Sequence, residues 1–446
     1  MPANGPSMLL PSKYREIAIL CRKRQDCGTN SSTMALPLEN LRVVEVASFL
    51  AAPSAAALMA DMGAEVIKVE PPDGDTFRGN RTHLHKGRSI NYVFEVDNRG
   101  KQSIAVDLNK PKAREVVHQL VSTADVFITN LTSDRTAKYS LDYETLRTVK
   151  PDIVYGHLVG YSGSGPEAER PGFDSTAFWA RSGVMSLMGE MGGPAVQSRP
   201  GQGDHPTGVN LLAAILAALR LRDQTGMAQK AEVSLLRTGL WTIATDMQQA
   251  LNLPGHTPQQ FNRATHALLI RSAYETKDGR WIMLTMHNVP RYWPSLCKAL
   301  GRNDWASDER FISNAAMLEH GPEIVEELQK EFRSQDLEHW ARMLDQTGCI
   351  WAAAASLDEV TEDPLLASQG AIQTLQDVDG TDYKIVSTPF NIEGADIKPK
   401  QRAPLVGEHN HQVLKEAGFS DDDIGNLAVE GIFTAGTDNE NSFFDR

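Results

Sequence analysis

Short apolar runs rich in valine and isoleucine alternate with helical segments over the first part of the chain. These runs are too short for helices and predict buried strands at 41–46, 65–69, 103–108, 125–129 and 152–159. Helices are predicted between them at 51–60, 111–121 and 141–149. Alternation at this spacing is typical of a parallel α/β sheet covered by helices.

The first strand–helix–strand unit has the signals of a doubly wound fold. Pro53 stands in the first turn of the helix, where proline is tolerated, and Gly63 follows its end as a C-terminal cap. The unit carries no GxGxxG sequence, so the chain lacks the fingerprint of a nicotinamide-dinucleotide enzyme.

The pattern changes after residue 160. A loop rich in Gly, Ser and Pro covers 160–172, and helices are predicted at 175–188, 208–223 and 235–251. A second region begins near Ser272, where apolar runs flank Asp278-Gly279, a favoured hairpin turn. Helices are predicted there at 291–300, 322–332 and 337–346, and helical period returns over 407–431.

Composition excludes several classes of protein. The 446 residues include 44 Lys plus Arg and 57 Asp plus Glu, a formal charge of −13 that repels nucleic acid and anionic lipid. The longest uncharged stretches, 46–60 and 205–219, are shorter than a bilayer crossing needs. The four cysteines form no CxxC pair, so neither a zinc site nor a disulfide framework is predicted, and a reducing compartment fits best.

The first 37 residues differ in kind from the rest. Residues 1–37 contain Pro, Gly, Asn and Ser with little periodicity, and we predict a disordered extension or a start at Met34. The short basic run 22–24 leaves a mitochondrial presequence as an alternative, although Glu16 and Asp26 count against it. The predicted location is cytoplasmic, with the mitochondrial matrix as the alternative.

Two aspartates are candidates for chemistry. Asp204 follows a glycine that lets other groups approach closely, and it precedes a helix of small residues; Asp174 also precedes a predicted helix. Each is also open to interpretation as a helix N-cap, the commoner role of an aspartate that precedes a helix. Cations close to the ends of the predicted strands, among them Arg99, Lys101 and Lys138, suggest a site for a polyanion.

Several blocks in order make the chain resemble a known family. They include LRVVEVASFLAAPSAAALMADMGAEVIKVEPPDGD, NRGKQSIAVDL, ADVFITN, GFDSTAFWARSGVMSLMG and GDHPTGVNLLAAILAALRLRDQTG. Over about residues 38–433 the sequence is similar to the family III CoA-transferases, the group of formyl-CoA transferase, carnitine CoA-transferase and α-methylacyl-CoA racemase.

The resemblance implies an α/β fold with a Rossmann-like parallel sheet, a smaller α+β domain and a chain that returns to the first domain. We accordingly expect a large CoA-binding domain over 38–255, a small domain over 270–395 and a return over 396–435. The resemblance also implies an interlocked homodimer.

The resemblance also assigns roles to single residues. Asp204 corresponds to the aspartate that accepts the acyl group, and Asp174 to an acidic residue that assists some transferases. Asn130 and Lys138 correspond to CoA contacts, and Lys101 with Arg99 lies in a matching block expected to bind CoA phosphates. No permanently bound cofactor and no metal are implied; CoA and acyl-CoA are substrates.

Departures from the family pattern bear on the activity. Racemases have histidine where this chain has Phe173, and Phe173 carries no acid or base, so transfer is favoured over racemisation. A glutamine of some members is replaced by Leu50, a lysine after the third strand by Asn109, and the glycine loop of formyl-CoA transferase has no counterpart after Leu251.

The expected activity is transfer of CoA from an acyl-CoA donor to a carboxylic acid acceptor through an aspartyl–acyl anhydride. A carboxylate with an ordinary pKa near 3.9 is ionised at neutral pH and attacks a thioester without a general base. Backbone N–H groups near Gly203 are expected to stabilise the oxyanion. The alternatives are a racemase or isomerase of the same family, and a CoA-binding protein without turnover.

Overall fold

The computed structural model of the protein describes residues 35–79, 91–262, 270, 272–311 and 313–433. The predicted extension 1–37 therefore lies almost wholly outside the described residues, as do Cys21 and Cys27. No helix in these ranges combines the length and apolarity that a bilayer crossing requires.

A six-stranded parallel sheet forms the centre of the larger compact unit, with strand order β3-β2-β1-β4-β5-β6. Its strands are β1 (Arg42–Val46), β2 (Glu65–Glu70), β3 (Gln102–Ala105), β4 (Val126–Thr129), β5 (Val154–Val159) and β6 (Gln229–Ser234). The predicted α/β class with a Rossmann-like parallel sheet is confirmed. The order reverses between β1 and β4, so a crevice opens there at the carboxyl ends of the strands.

Helices cover the sheet and connect its strands. They are α1 (Ala51–Asp61), α2 (Tyr92–Asn98), α3 (Pro111–Ser122), α4 (Ser133–Lys138), α5 (Tyr143–Val149), α6 (Val184–Leu187), α7 (Asp204–Thr225), α8 (Leu235–Thr242) and α9 (Ala244–Asn252). A π-helical segment, Asp174–Arg181, precedes α6. The helix predicted at 175–188 is thus interrupted, since Gly183 between the two segments has a φ of +97°.

Small residues let α1 and α7 approach closely. A Cβ on Gly208 of α7 would lie 2.0 Å from Ser54 Oγ and 2.6 Å from the Ala51 carbonyl oxygen of α1. All the alanines of α1 except Ala60 are buried. This contact sets the first turn of α7 beside the loop that follows β1.

The C-terminal segment returns to the sheet at its β3 edge. His409 donates its backbone N–H to the Ser103 carbonyl (3.0 Å), and Ala105 donates its N–H to Asn410 Oδ1 (2.9 Å). Two helices follow, α16 (Asn410–Glu416) and α17 (Asp421–Val429). The returning chain that the family resemblance implied is therefore present.

The second compact unit comprises residues 187–195 and 259–369 among those described. A three-stranded antiparallel sheet contains β7 (Ala273–Glu275), β8 (Trp281–Leu284) and β9 (Trp351–Ala353). The hairpin predicted at Asp278-Gly279 is confirmed. The helices of this unit are α10 (Val289–Leu300), α11 (Asn314–Glu319), α12 (Gly321–Phe332), α13 (Leu337–Thr347), α14 (Leu357–Thr361) and α15 (Pro364–Ser368).

The compact units differ from the expected domain boundaries in two segments. Residues 187–195, which we expected in the large domain, group with the smaller unit. We expected 270–395 to form the small domain, whereas residues from 370 onward group with the larger unit. The antiparallel pair β10 (Ile372–Gln376) and β11 (Asp382–Val386) lies in this segment. Its Tyr383 hydroxyl donates to Glu95 Oε2 (2.7 Å), which ties the hairpin to α2.

Candidate active site

A cavity of about 520 Å³ lies at the carboxyl ends of β1 and β4, where the strand order reverses. Asn130, Asp174 and Asp204, three of the residues singled out in the sequence, line it together. Ligands of doubly wound sheets bind at this point of the fold. The cavity is the candidate active site.

Asp204 is the first residue of α7, and its side chain does not cap the helix. Gly203 occupies the N-cap position, without a side-chain cap hydrogen bond. Burial raises the pKa of Asp204 to about 7, and the neighbouring carboxylates of Asp174 and Asp97 act in the same direction. The sequence had led us to expect an ordinary pKa, because it does not show that two other carboxylates stand close by.

Asp174 is buried and faces the start of α7. Its Oδ2 accepts a hydrogen bond from the Gly203 N–H (3.0 Å), across 29 residues of sequence. Its buried Oδ1 has no hydrogen-bond partner in the described part of the chain. A Cβ on Gly203 would lie 2.5 Å from this Oδ1, so the close approach expected at Gly203 is confirmed.

Asn130 joins the end of β4 to the loop after β1. Its Oδ1 accepts from the Ser48 N–H (3.1 Å), and its Nδ2 donates to the Ser48 carbonyl (2.7 Å). An amide has two Nδ2 hydrogens, so Ser48 leaves one of them for another acceptor. The Asn130 side chain therefore fixes Ser48 in the loop after β1, and both residues line the cavity.

Phe49 adopts a left-handed backbone conformation beside Ser48, with φ of +65°. This conformation is costly for a bulky residue and persists where surrounding contacts determine it. The Phe49 N–H donates to Asp75 Oδ1 (3.3 Å), and Asp75 is paired with buried Lys68 (2.9 Å). The Phe49 ring meets the edge of Phe173, with centroids 5.3 Å apart, so the two rings form an apolar wall of the cavity.

Arg99 and Lys101 lie in the interior, in contrast to their predicted contact with CoA phosphates. Arg99 pairs with Asp61 (2.7 Å). Lys101 pairs with Glu45 (2.6 Å) and donates to the Pro53 carbonyl (2.9 Å). Neither side chain lines the cavity. The positive charge of each is neutralised by the buried carboxylate with which it pairs. Lys101 also lines a second pocket of about 450 Å³, and the contact of the two cations with CoA stays a prediction.

Lys138 is exposed at the end of α4. Its Nζ donates to Asn109 Oδ1 (3.3 Å) and lies 5.1 Å from the centre of the Tyr139 ring. It does not line the cavity, whereas Arg135, one turn earlier, does. Arg199 and Arg170 also line it and were missed, because they stand in segments without periodicity.

Replacing Lys101 with methionine is expected to lower the free energy of unfolding by about 3 kcal/mol or more, because removing one partner leaves Glu45 buried with less compensation. Urea denaturation measures this change. The matched control is Lys112→Met, which breaks an exposed pair with Glu430 and should cost less than about 1 kcal/mol. If Lys101→Met instead lost affinity for CoA and kept its stability, that result would support the predicted contact between Lys101 and a CoA phosphate.

No cluster of His, Cys, Asp or Glu that could hold a metal ion is found among the residues the structure describes.

The chain matches a protein family and several individual proteins. A family model described as CoA-transferase family III matches residues 38–410. The chain is 33% identical over 390 residues to the succinate–glutarate CoA-transferase of Agrobacterium fabrum, covering 85% of this chain and 95% of that protein. It is 30% identical over 395 residues to the (R)-2-hydroxy-4-methylpentanoate CoA-transferase of Clostridioides difficile, covering 87% of this chain and 98% of that protein.

Solved structures give the same result. The crystal structure of a CAIB/BAIF family protein from Brucella suis matches with a TM-score of 0.76 and 29% sequence identity. The match covers 86% of this chain and 100% of that one.

Proposed function

The chain belongs to CoA-transferase family III and is a CoA-transferase, and from this premise we propose that Asp204 carries the acyl group during transfer. The observation that supports the assignment most is the meeting of Asp174 and Asp204 in one cavity at the switch point of the sheet. Each carboxylate is positioned by the fold without acting as a cap for its own helix.

The proposed reaction begins when an Asp204 carboxylate oxygen attacks the thioester carbonyl. The C–S bond breaks, its electron pair leaves with the CoA thiolate, and an aspartyl–acyl anhydride remains. For CoA to pass to another acid, the thiolate attacks the Asp204 carbonyl and releases the donor acid. The acceptor carboxylate then displaces the thiolate as a second anhydride forms, and the thiolate takes the new acyl group from it. The energy of the thioester is conserved throughout.

The helix end at Asp204 suits negative charge that develops on the substrate, while burial and the nearby carboxylates oppose charge on Asp204 itself. Asp204 stands at the N-terminus of the 22-residue helix α7, whose dipole places partial positive charge there. The Gly203 N–H, which we expected to face an oxyanion, instead donates to Asp174. We propose that Asp174 holds the turn before Asp204 in place and orients the anhydride.

The aromatic wall of the cavity supports transfer over racemisation. Phe173 lines the cavity with a half-exposed ring, 53% accessible, at the position where racemases have histidine. A phenyl ring cannot take or give a proton at an α-carbon. The substrate acids are proposed only as a class, the carboxylic acids.

For CoA itself, we propose contacts with Asn130, which has an unused amide hydrogen, and with Lys138 on the exposed end of α4. The cation Arg135 lies between them in sequence and lines the cavity. Cations and amide donors are the groups that bind phosphates and amides of CoA.

We also propose a homodimer. Trp241 (76% exposed) and Leu251 (69% exposed) line a groove on α8 and α9, and apolar surface of this kind marks contact with another protein. Sedimentation velocity of the full chain measures the oligomeric state.

Trapping tests the role of Asp204 directly. During turnover with an acyl-CoA donor, hydroxylamine should leave a hydroxamate on Asp204, and borohydride should reduce an Asp204 thioester to the alcohol. Peptide mass spectrometry locates either product. A label on another residue, or none while the enzyme turns over, would contradict the proposal.

The raised pKa of Asp204 predicts how the rate depends on pH. We expect kcat/KM for the acyl-CoA donor to rise with pH and level off above an apparent pKa near 7, because only the carboxylate attacks. A rate that is constant from pH 5.5 to 8.5, at constant ionic strength, would contradict it.

The pH dependence of stability provides a second test of the raised pKa of Asp204. The pKa of Asp204 is higher in the folded protein than in the unfolded chain. The free energy of unfolding therefore falls as pH rises from about 4 to about 7. The melting temperature of Asp204→Asn should therefore exceed that of wild type by more at pH 8 than at pH 5.

A further inference from the structure

A buried carboxylate pairs with the histidine that directly follows Asp204. His205 Nε2 lies 3.1 Å from Asp97 Oδ1 of α2, a residue 108 positions earlier in the chain. The Asp97 side chain is 1% exposed and the His205 side chain 45%. The other oxygen of Asp97, Oδ2, is buried without a partner in the described ranges. A buried carboxylate with one orphaned oxygen strongly favours a charged donor at the other.

The imidazole also packs on the turn that leads to the nucleophile. Gly201 has a φ of +84°, and a Cβ there would lie 2.9 Å from His205 Cε1 and 3.0 Å from Nδ1. The His205 N–H donates to the Gly201 carbonyl (3.0 Å). The contact with Asp97 therefore fixes the orientation of the His205 ring. The ring packs against the turn Gly201–Gly203, whose Gly203 N–H donates to Asp174. His205 itself does not line the cavity.

We propose that Asp97 and His205 form a positioning pair, in which an imidazolium anchored by Asp97 fixes the turn before Asp204 and favours the carboxylate form of that nucleophile. The inference deepens the proposed function and rests on Asp204 being the acyl carrier. His205 is not a catalytic residue, because it acts through Asp204 and not on the substrate.

The charges around the pair agree with this role. The hydrogen bond to Asp97 raises the pKa of His205, and burial raises the pKa of Asp97. Arg99 and Lys101 also face Asp97, but each is paired with another carboxylate. Around Asp204, burial, Asp174 and Asp97 oppose ionisation, and His205 favours it.

The test is the pH profile of His205→Gln, which keeps a hydrogen-bond donor and removes the charge. We expect the midpoint of the pH profile of kcat/KM to move upward by about half a pH unit to one pH unit. At pH 6 this shift lowers kcat/KM by about three- to tenfold. At pH 9 the rate should lie within twofold of wild type, since Asp204 is then ionised in both. CoA affinity, measured by calorimetry, should not change.

The matched control is His411→Gln, because His411 forms an imidazole–aspartate pair of the same length (3.1 Å) with Asp421 on the surface. Its profile should equal that of wild type. Asp97→Asn keeps the volume of the buried side chain but removes a carboxylate that itself opposes ionisation of Asp204, so its midpoint should lie below that of His205→Gln.

An unchanged midpoint, or an equal loss at every pH, would overturn the positioning pair. Asp204→Ala separates this failure from failure of the proposed function. If Asp204→Ala is inactive and His205→Gln has the wild-type profile, only the pair is disproved. If Asp204→Ala remains active, the acyl-carrier assignment is disproved as well.

Discussion

Asp204→Ala is expected to lower kcat for CoA transfer by about a thousandfold or more, because the variant has no atom on which to carry the acyl group. CoA affinity should stay within about threefold of wild type, since the proposed contacts, Asn130 and Lys138, are unaltered. A discontinuous assay of acyl-CoA formation measures the first quantity, and calorimetry the second.

The control for Asp204→Ala is Asp223→Ala, on the same helix α7. Asp223 is exposed and pairs only at the surface with Arg222 (3.1 Å), so its removal should leave kcat within twofold of wild type. Substantial transfer by Asp204→Ala, after contamination by host enzymes is excluded, would remove Asp204 from the reaction.

Gly203→Ala should be the second most damaging single change. The added methyl would lie 2.3 Å from Phe178 Cγ and 2.5 Å from Asp174 Oδ1, distances at which backbone or ring must move. We expect a loss of about 1–3 kcal/mol in the free energy of unfolding and a fall in kcat of at least tenfold, because Asp174 loses its place against the turn. Denaturant unfolding and initial rates measure the two effects.

Gly425→Ala is the matched control for Gly203→Ala. Gly425 lies within α17, and a Cβ there would meet nothing within 4 Å. Alanine should raise stability by up to about 1 kcal/mol and leave kcat unchanged. Wild-type activity in Gly203→Ala would show that the close contact with Asp174 is dispensable.

Much of the sheet could be predicted because its central strands are buried on both faces. Each of the five predicted strands appears, since runs such as 41–46 consist mainly of apolar and β-branched residues. β6 was missed because Gln229–Ser234 alternates polar and apolar residues as an edge strand does. α7 begins at Asp204 and not at 208, because the polar residues of its first turn hide the helical period.

The candidate site was predictable only in part. The aspartates were found because glycine and small residues surround them, but their meeting depends on a contact between Asp174 and Gly203 that no local pattern reveals. Arg99 and Lys101 were assigned to CoA from the family resemblance and because they stand near a strand end. They precede β3, at its amino end, whereas ligands bind at carboxyl ends. The sequence gives no sign of a role for His205, since its partner Asp97 lies 108 residues earlier.

The return of the C-terminal segment has a consequence for synthesis on the ribosome. Ser103 of β3 bonds to His409, 306 residues later. The nascent chain must therefore hold an open sheet edge, with unpaired backbone groups, until nearly the whole polypeptide has emerged. The residues 259–369 of the second compact unit are synthesised during this interval, before the segment that covers the edge of the first.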